Sequence, residues 1–306
     1  MQSIKLKLYS ILRYFYFLSG YPRLKEWIFN QRRILAIKLI GNKYSFAEIF
    51  PSADYFPVGI IHTNVQHTKA GWQLLNRGYD DEARAKNAIV SLRKFTMVTH
   101  DGLLVSYDIA RYVQAAGIAG SIVETGVCQG GSAAIMCIAL KDSNVELPQI
   151  HLFDSFEGLP HPNEIDYMPW MEEDWALKRT DFDGILATTG ALVATQECAE
   201  EAVFKVANYP REKTHFYKGW FQDTIPGAKK EIGKISILRL DGDLYESTLF
   251  CLRELYPQVT VGGFIIIDDY GLIGCRKACE QYFSEIGIKP FLSYIDAVGR
   301  YFIKTH

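Results

Sequence analysis

The chain has 306 residues, 48% of them hydrophobic, enough to bury a large core as one elaborated domain or as a catalytic domain with an N-terminal extension; the second is expected. A formal charge of -2 and a pI near 6.4 argue against a nucleic acid partner, because phosphate binding shows as a strong basic excess, and favour a small-molecule substrate. Six cysteines without a C-x-x-C pair read as reduced packing thiols in a cytoplasmic protein.

Residues 1 to about 50 pattern as helices broken at Gly20-Tyr21-Pro22. Lys5, Lys7 and Arg13 interrupt the apolar residues, so no signal peptide is expected, and no run reaches the roughly 20 apolar residues of a spanning helix. This stretch holds nine Lys/Arg against Glu26 and Glu48, interleaved with aromatics such as Tyr14, Phe15 and Trp27. Two readings stand: peripheral contact with an anionic membrane surface, or a basic-faced helical extension packed on the enzyme or on a second subunit. A homo-oligomer is expected. Residues 51–70 read as irregular, and helical patterning resumes from Gly71 to about Arg93, which places the end of the extension at residue 94. Phe95-Thr96-Met97-Val98 then leads into an amphipathic segment, Leu103 to Ala116, that stops at Gly117.

Beyond Gly117 the pattern alternates strand and helix. Strands are expected at 121–124, 150–154, 215–218, 235–240 and 264–268, which predicts a parallel sheet covered on both faces. The segments 291–295 and 300–304, separated by Asp296-Ala297-Val298-Gly299, read as a terminal antiparallel hairpin. This α/β order resembles class I methyltransferases more than dehydrogenases. The charged stretch Glu164 to Asp183, with Trp170 and Trp175, is too long for a tight connection and reads as a lid or as a decorative insertion, the lid being preferred.

The first strand ends in Glu124-Thr125-Gly126-Val127-Cys128-Gln129-Gly130-Gly131-Ser132 and runs into an apolar helix, 133–140. Gly126 lets a ligand lie against backbone, and Gly130-Gly131 opens the helix with free N–H groups and its positive dipole end. The spacing is not G-x-G-x-x-G, which weakens a dinucleotide reading. S-adenosylmethionine has no pyrophosphate; its carboxylate can sit near Ser132 and its amino group opposite Glu124. Asp154, 23 residues beyond Gly131, can accept both ribose hydroxyls, or cap a helix. Gly219-Trp220-Phe221-Gln222, after the third strand, can sandwich an adenine; alternatively Trp220 is core and Asp223 a helix cap.

Two further apolar runs end in acids: Leu238-Arg239-Leu240-Asp241-Gly242-Asp243-Leu244-Tyr245-Glu246 and Phe264-Ile265-Ile266-Ile267-Asp268-Asp269. In a parallel sheet these acids emerge together at the carboxyl edge, where α/β sheets bind ligands, and converging acids call for a hard divalent cation such as Mg²⁺.

The series ETGVCQGGSA (124–133), HLFDSFEGLP (151–160), YKGWFQDTIP (217–226), LRLDGDLYEST (238–248) and GGFIIIDDYG (262–271) resembles the macrocin O-methyltransferase, or TylF-type, family, as do Thr96-Met97-Val98 and YIDAVGRYFIK (294–304). The likeness covers roughly residues 95–304. It implies an enzyme dependent on S-adenosylmethionine and Mg²⁺ that methylates a sugar hydroxyl, with Asp241, Asp268 and Asp269 as metal ligands. It further implies donor contacts from Met97, Glu124, Gly126, Val127, Gly130, Ser132, Asp154, Ser155, residues 219–222 and Asp241. Asp241 and Asp243 are the candidate catalytic acids, Asp243 and Glu246 being either ligands or supporting acids at a helix start. Thr125, Cys128 and Gln129 depart from the family's usual first motif, the segment 160–215 departs most, and Leu244 stands where catechol-type relatives carry a lysine base. The rival readings are a glycosyltransferase holding a nucleotide-sugar through Asp241-Gly242-Asp243, a catalytically silent methyltransferase-like binding protein, and an NAD-dependent oxidoreductase.

Overall fold

The computed structural model describes residues 80–141, 145–167 and 188–306. The expectations placed on residues 1–79, and on most of the 164–183 stretch, lie outside them. Residues Arg84–His306 form one compact unit. No helix among the described residues is long and apolar enough to cross a membrane.

The described residues open with two helices, α1 (Asp80–Leu92) and α2 (His100–Ala115). α2 starts three residues before its apolar pattern because Thr99 caps it, the Thr99 hydroxyl accepting from the Gly102 N–H at 3.0 Å. Strands and helices then alternate: β1 (Ser121–Thr125), α3 (Gly131–Lys141), β2 (Ile150–Asp154), α4 (Gln196–Glu200), β3 (Thr214–Lys218), α5 (Phe221–Ile232), β4 (Ile235–Leu240), α6 (Tyr245–Leu255), β5 (Val259–Ile267) and α7 (Ile273–Glu285). Two short strands, β6 (Ser293–Tyr294) and β7 (Arg300–Ile303), finish the chain.

The sheet has seven strands in the order β3-β2-β1-β4-β5-β7-β6. β3, β2, β1, β4 and β5 pair in parallel, and β7 runs antiparallel between β5 and β6. Every residue of β1 and β4 is buried, as a parallel strand covered on both faces requires. Successive side chains point to opposite faces, and the core splits accordingly. On one face Ile122, Leu152, Ile237 and Ile266 pack with α1, α2, α3 and the α4 region; on the other Val123, Phe153, Leu238 and Ile265 pack with α5, α6 and α7.

The parallel sheet and its hairpin stand as expected, with two boundaries corrected. β5 begins at Val259, five residues before the apolar run, because a register shift against β4 carries Gly262 and Gly263 as strand residues, and it ends at Ile267, leaving Asp268 just beyond. The first hairpin strand keeps only Ser293 and Tyr294: Pro290 has no N–H to give an edge strand, and Phe291 is 86% exposed with no sheet face to cover it.

Ile237, fully buried between two parallel strands, is expected to cost about 2–5 kcal/mol as Ile237→Ala in urea denaturation, whereas Val90→Ala at a position 72% exposed should stay within about 0.5 kcal/mol.

Candidate active site

The order of the strands reverses between β1 and β4, and a crevice opens there beyond their carboxyl ends. The floor is a backbone contact: the Asp241 N–H donates to the Thr125 carbonyl at 2.8 Å, and the Gly126 N–H to the Phe153 carbonyl at 2.9 Å. Gly126 has a φ of 89°, and a Cβ built on it would stand 1.6 Å from the Asp241 carbonyl oxygen. Only glycine allows the loops after β1 and β4 to close on one another here. Above them lies a cavity of about 230 Å³ whose lining includes Met97, Gly126, Ser132, Trp220 and the acids Asp241, Asp243, Asp268 and Asp269.

Strand parity explains which acids meet. Glu124 and Arg239 are cross-strand partners, and residues 122, 124, 237, 239 and 266 share the face covered by α3. Continuing the alternation past the strand ends puts Asp241 and Asp268 on that same side. Arg239 is wholly buried at the centre of this group: its Nη1 donates to Glu124 Oε1 at 3.0 Å and to Asp241 Oδ2 at 2.5 Å, and its Nη2 pairs with Asp268 Oδ1 at 2.7 Å. One guanidinium faces three carboxylates. Burial therefore pushes the Glu124 carboxyl up to about 7, although Arg239 and the Ser132 hydroxyl, which donates to Glu124, pull the other way.

The remaining acids crowd the cavity side of this group. Asp241, Asp243 and Asp269 offer ligand atoms that all lie within 4.8 Å of one another. Asp243 is held in the left-handed region at a φ of 56°, its N–H donating to Asp269 Oδ2 at 3.0 Å. A non-glycine residue keeps such a backbone only where its surroundings over-determine it. Burial, reinforced by the charges of Asp241 and Asp268, pushes Asp243 up to about 8. Asp268 is raised to about 6, also by burial first, and Asp269 well above its usual value. Five carboxylates line the cavity, and no Lys, Arg or His does among the described residues.

The glycine turn after β1 is braced by Asp154. One of its oxygens accepts from the Val127 and Cys128 N–H groups, each at 2.7 Å, and the other from the Phe156 N–H at 2.7 Å, so it caps loops rather than a helix while its edge still lines the cavity. Ser155, Gly219, Trp220, Phe221 and Gln222 line the same cavity, Trp220 half-buried at the start of α5 rather than in the core. Glu124 and Gly130, both expected against a donor, are not among the lining residues. Glu124 reaches the site only through Ser132 and Arg239, and Gly130 makes room for Ala199, whose Cα would lie 2.7 Å from an added Cβ.

Arg239 was not among the candidates read from sequence. The available signal was a cation in a strand that is otherwise apolar except for Ser236, two residues before an acid, which parity places on one side of the sheet with it.

A doubly wound sheet with an antiparallel finish, a glycine turn at its switch point and acids gathered at the carboxyl edge defines a Rossmann-like methyltransferase fold with an acid-lined site. The model of the macrocin-O-methyltransferase (TylF) family matches residues 34–304. The chain is 36% identical over 232 residues, 74% of its length and 84% of the relative's, to the 8-demethyl-8-(2,3-dimethoxy-alpha-L-rhamnosyl)-tetracenomycin-C 4'-O-methyltransferase of Streptomyces olivaceus. It is 35% identical over 189 residues, 61% of its length and 67% of the relative's, to the demethyldecarbamoylnovobiocin O-methyltransferase of Streptomyces niveus. The solved structure of the O-methyltransferase NovP superposes with a TM-score of 0.58 at 31% identity, covering 69% of this chain and 83% of that one. The chain belongs to the macrocin O-methyltransferase family and is an O-methyltransferase.

Replacing Arg239 by leucine should leave three acids uncompensated and cost about 3–5 kcal/mol in urea denaturation, and Arg239→Lys should recover only part, because an ammonium lacks the planar fork that reaches all three.

Proposed function

We propose that this protein transfers a methyl group from S-adenosylmethionine to a hydroxyl of a sugar on a glycosylated small molecule, with Mg²⁺ held by Asp241, Asp243 and Asp269. The observation that carries the reading is the convergence of these three acids within 4.8 Å, above a floor where Gly126 lets the loops after β1 and β4 meet. Relatives that methylate a rhamnosyl tetracenomycin and a novobiocin precursor support the class of acceptor.

The residues fit both groups. Carboxylates pushed upward by burial and mutual repulsion are relieved by a hard cation with oxygen ligands, and a cavity lined by five acids suits a sulfonium. When bound, S-adenosylmethionine supplies an electrophilic methyl and Mg²⁺ supplies orientation of the acceptor and a lowered hydroxyl pKa.

The chain's own residues do the rest. Gly126 and the helix start at Gly131-Ser132 receive the amino-acid end of the donor. Asp154 keeps the turn closed with both oxygens and, as it lines the cavity, would meet the ribose through a remaining lone pair, while Trp220, Phe221 and Gln222 would flank the base. Arg239 fixes Asp241 and Asp268 in register, and acids held in this way would position a bound acceptor relative to the donor, a kind of positioning that supplies much of the rate gain in such reactions. With no Lys or His lining the cavity among the described residues, the hydroxyl proton goes to one of the acids. Asp268 adjoins the cluster with one oxygen on Arg239, and it is the ligand that the family motif implied in place of Asp243.

The reading is tested by incubating the purified enzyme with S-adenosylmethionine, Mg²⁺ and aglycone-linked, nucleotide-linked and lipid-linked sugars and measuring mass shifts. A gain of one methyl on a glycoside supports it, and none on any sugar refutes it. Asp269→Asn should lower turnover by at least about a hundredfold with donor affinity nearly unchanged in calorimetry, and Asp241→Asn should lower turnover as much while also weakening the donor, which Asp241 is expected to contact. Asp243→Asn should match them in Mn²⁺ affinity if it is a ligand, and Asp268→Asn should take its place if the motif assignment holds.

Cation affinity should rise with pH. Asp243, a proposed ligand raised to about 8, carries a proton that a metal must displace, so binding weakens as pH falls from 8 to 6 and releases protons at pH 7. The same sign applies to stability without metal: a carboxyl raised above its unfolded value contributes fully near pH 4 and loses that contribution as pH rises through 6 to 8. Chelated enzyme is therefore expected to melt lower at pH 8 than at pH 6, and Mg²⁺ to reverse the order.

A further inference from the structure

The acid-bearing loops lead directly into α6 and α7, and neither helix start is capped by its own cap residue: Leu244 and Leu272 occupy those positions without a side-chain hydrogen bond. A carboxylate from elsewhere fills that role. Asp166, 2% exposed, lies 79 residues before α6, yet its Oδ1 accepts from the Tyr245 N–H, the first of α6, at 2.7 Å. Its Oδ2 accepts from the Asn163 N–H at 3.3 Å, and Asn163 Oδ1 in turn accepts from the Ile165 and Asp166 N–H groups at 2.8 and 3.2 Å.

The same carboxylate presses on the start of α7. A Cβ built on Gly274, the second residue of that helix, would stand 1.7 Å from Asp166 Oδ1 and 3.1 Å from the Tyr245 nitrogen. Gly274 has no positive φ and sits inside a helix, where alanine is the better residue. Its lack of a side chain therefore serves the carboxylate. Two helix N-termini thus converge on one buried acid, whose charge suits both dipoles. The polypeptide that delivers Asp166 is continuous with the turn at Ser155, Gly158, Leu159 and Pro160, which walls the cavity.

We propose that Asp166, seated in the space left by Gly274, is a positioning residue that locks the loops carrying Asp241–Asp243 and Asp268–Asp269 to each other and to the cavity wall, and so sets the spacing of the acid cluster. This rests on the reading of that cluster as a cation site. Asp166 touches neither donor nor acceptor. It acts through the Tyr245 N–H, two residues beyond Asp243, and through the first turn of α7, four residues beyond Asp269.

The test is Mn²⁺ binding by electron paramagnetic resonance on the full chain without donor or acceptor, for the unaltered enzyme and for Asp166→Ala, Asp166→Asn, Gly274→Ala and the Asp166→Ala/Gly274→Ala double variant. Asp166→Ala should weaken Mn²⁺ about tenfold, as loss of a group that orients ligands does. Gly274→Ala should do the same by evicting the carboxylate. Asp166→Asn should bind within about threefold of the unaltered enzyme, because an amide oxygen still accepts from the Tyr245 N–H. The double variant should be no weaker than the weaker single one, since both remove the same contact. Should Asp166→Ala fail to fold, Gly274→Ala against Asp166→Asn carries the comparison.

Unchanged Mn²⁺ binding in Asp166→Ala or Gly274→Ala would overturn the proposal, as would additive losses in the double variant or an Asp166→Asn as weak as the alanine. Failure of the unaltered enzyme to bind Mn²⁺ would overturn the cation reading and this proposal with it. That result shows in the parent protein alone, so the two failures are distinguishable.

Discussion

A single guanidinium buried among three carboxylates organises this molecule. Arg239 has no contact with water and cannot be deprotonated at any working pH, so the acids around it are obligatory partners rather than decoration. Because it satisfies only part of their charge, the assembly stays electrically unfinished on the cavity side. Burial is the first cause of the upward displacement of Glu124, Asp268 and Asp243, and the charges of the neighbouring acids add to it. A cation bound at Asp241, Asp243 and Asp269 would complete the electrostatics that the protein alone leaves open.

The fold delivers this arrangement through two simple constraints. Pleat alternation sends residues 124, 239, 241 and 268 to one side, and parallel pairing brings the ends of β1, β4 and β5 to one level. Glycine then allows what side chains would forbid. At Gly126 it lets two loop backbones meet beneath the cavity, and at Gly274 it makes room for a carboxylate between two helix starts. The glycines and the acids therefore act as complementary parts of one site.

Some of this was legible in the amino-acid order. Apolar runs ending in acids gave β4 and the end of β5, and the alternating pattern gave the parallel sheet with its antiparallel finish, because burial on both faces leaves little freedom in composition. The start of β5 was obscured by Gly262-Gly263, which reads as a turn although a register shift keeps it in the ladder. The hairpin was read too long because Phe291 looks like a strand residue until the sheet proves to end beside it. In the site, Met97, Gly126, Asp154, Trp220 and the edge acids were all identified as candidates, and all line one cavity.

Sequence by itself determined the residue types and their order: glycine turn, an acid at the end of the second strand, aromatic segment, two acidic strand ends, and the family these motifs define. Tertiary structure alone decided how the acids divide their work. Which carboxylates face Arg239 and which face the cavity, that Asp154 braces the turn with its own oxygens, and that Asp166 reaches the start of α6 all depend on contacts between segments dozens of residues apart. Local pattern cannot encode such contacts, because a carboxylate looks the same in the chain whether its partner will be water, a guanidinium or the first N–H of a distant helix.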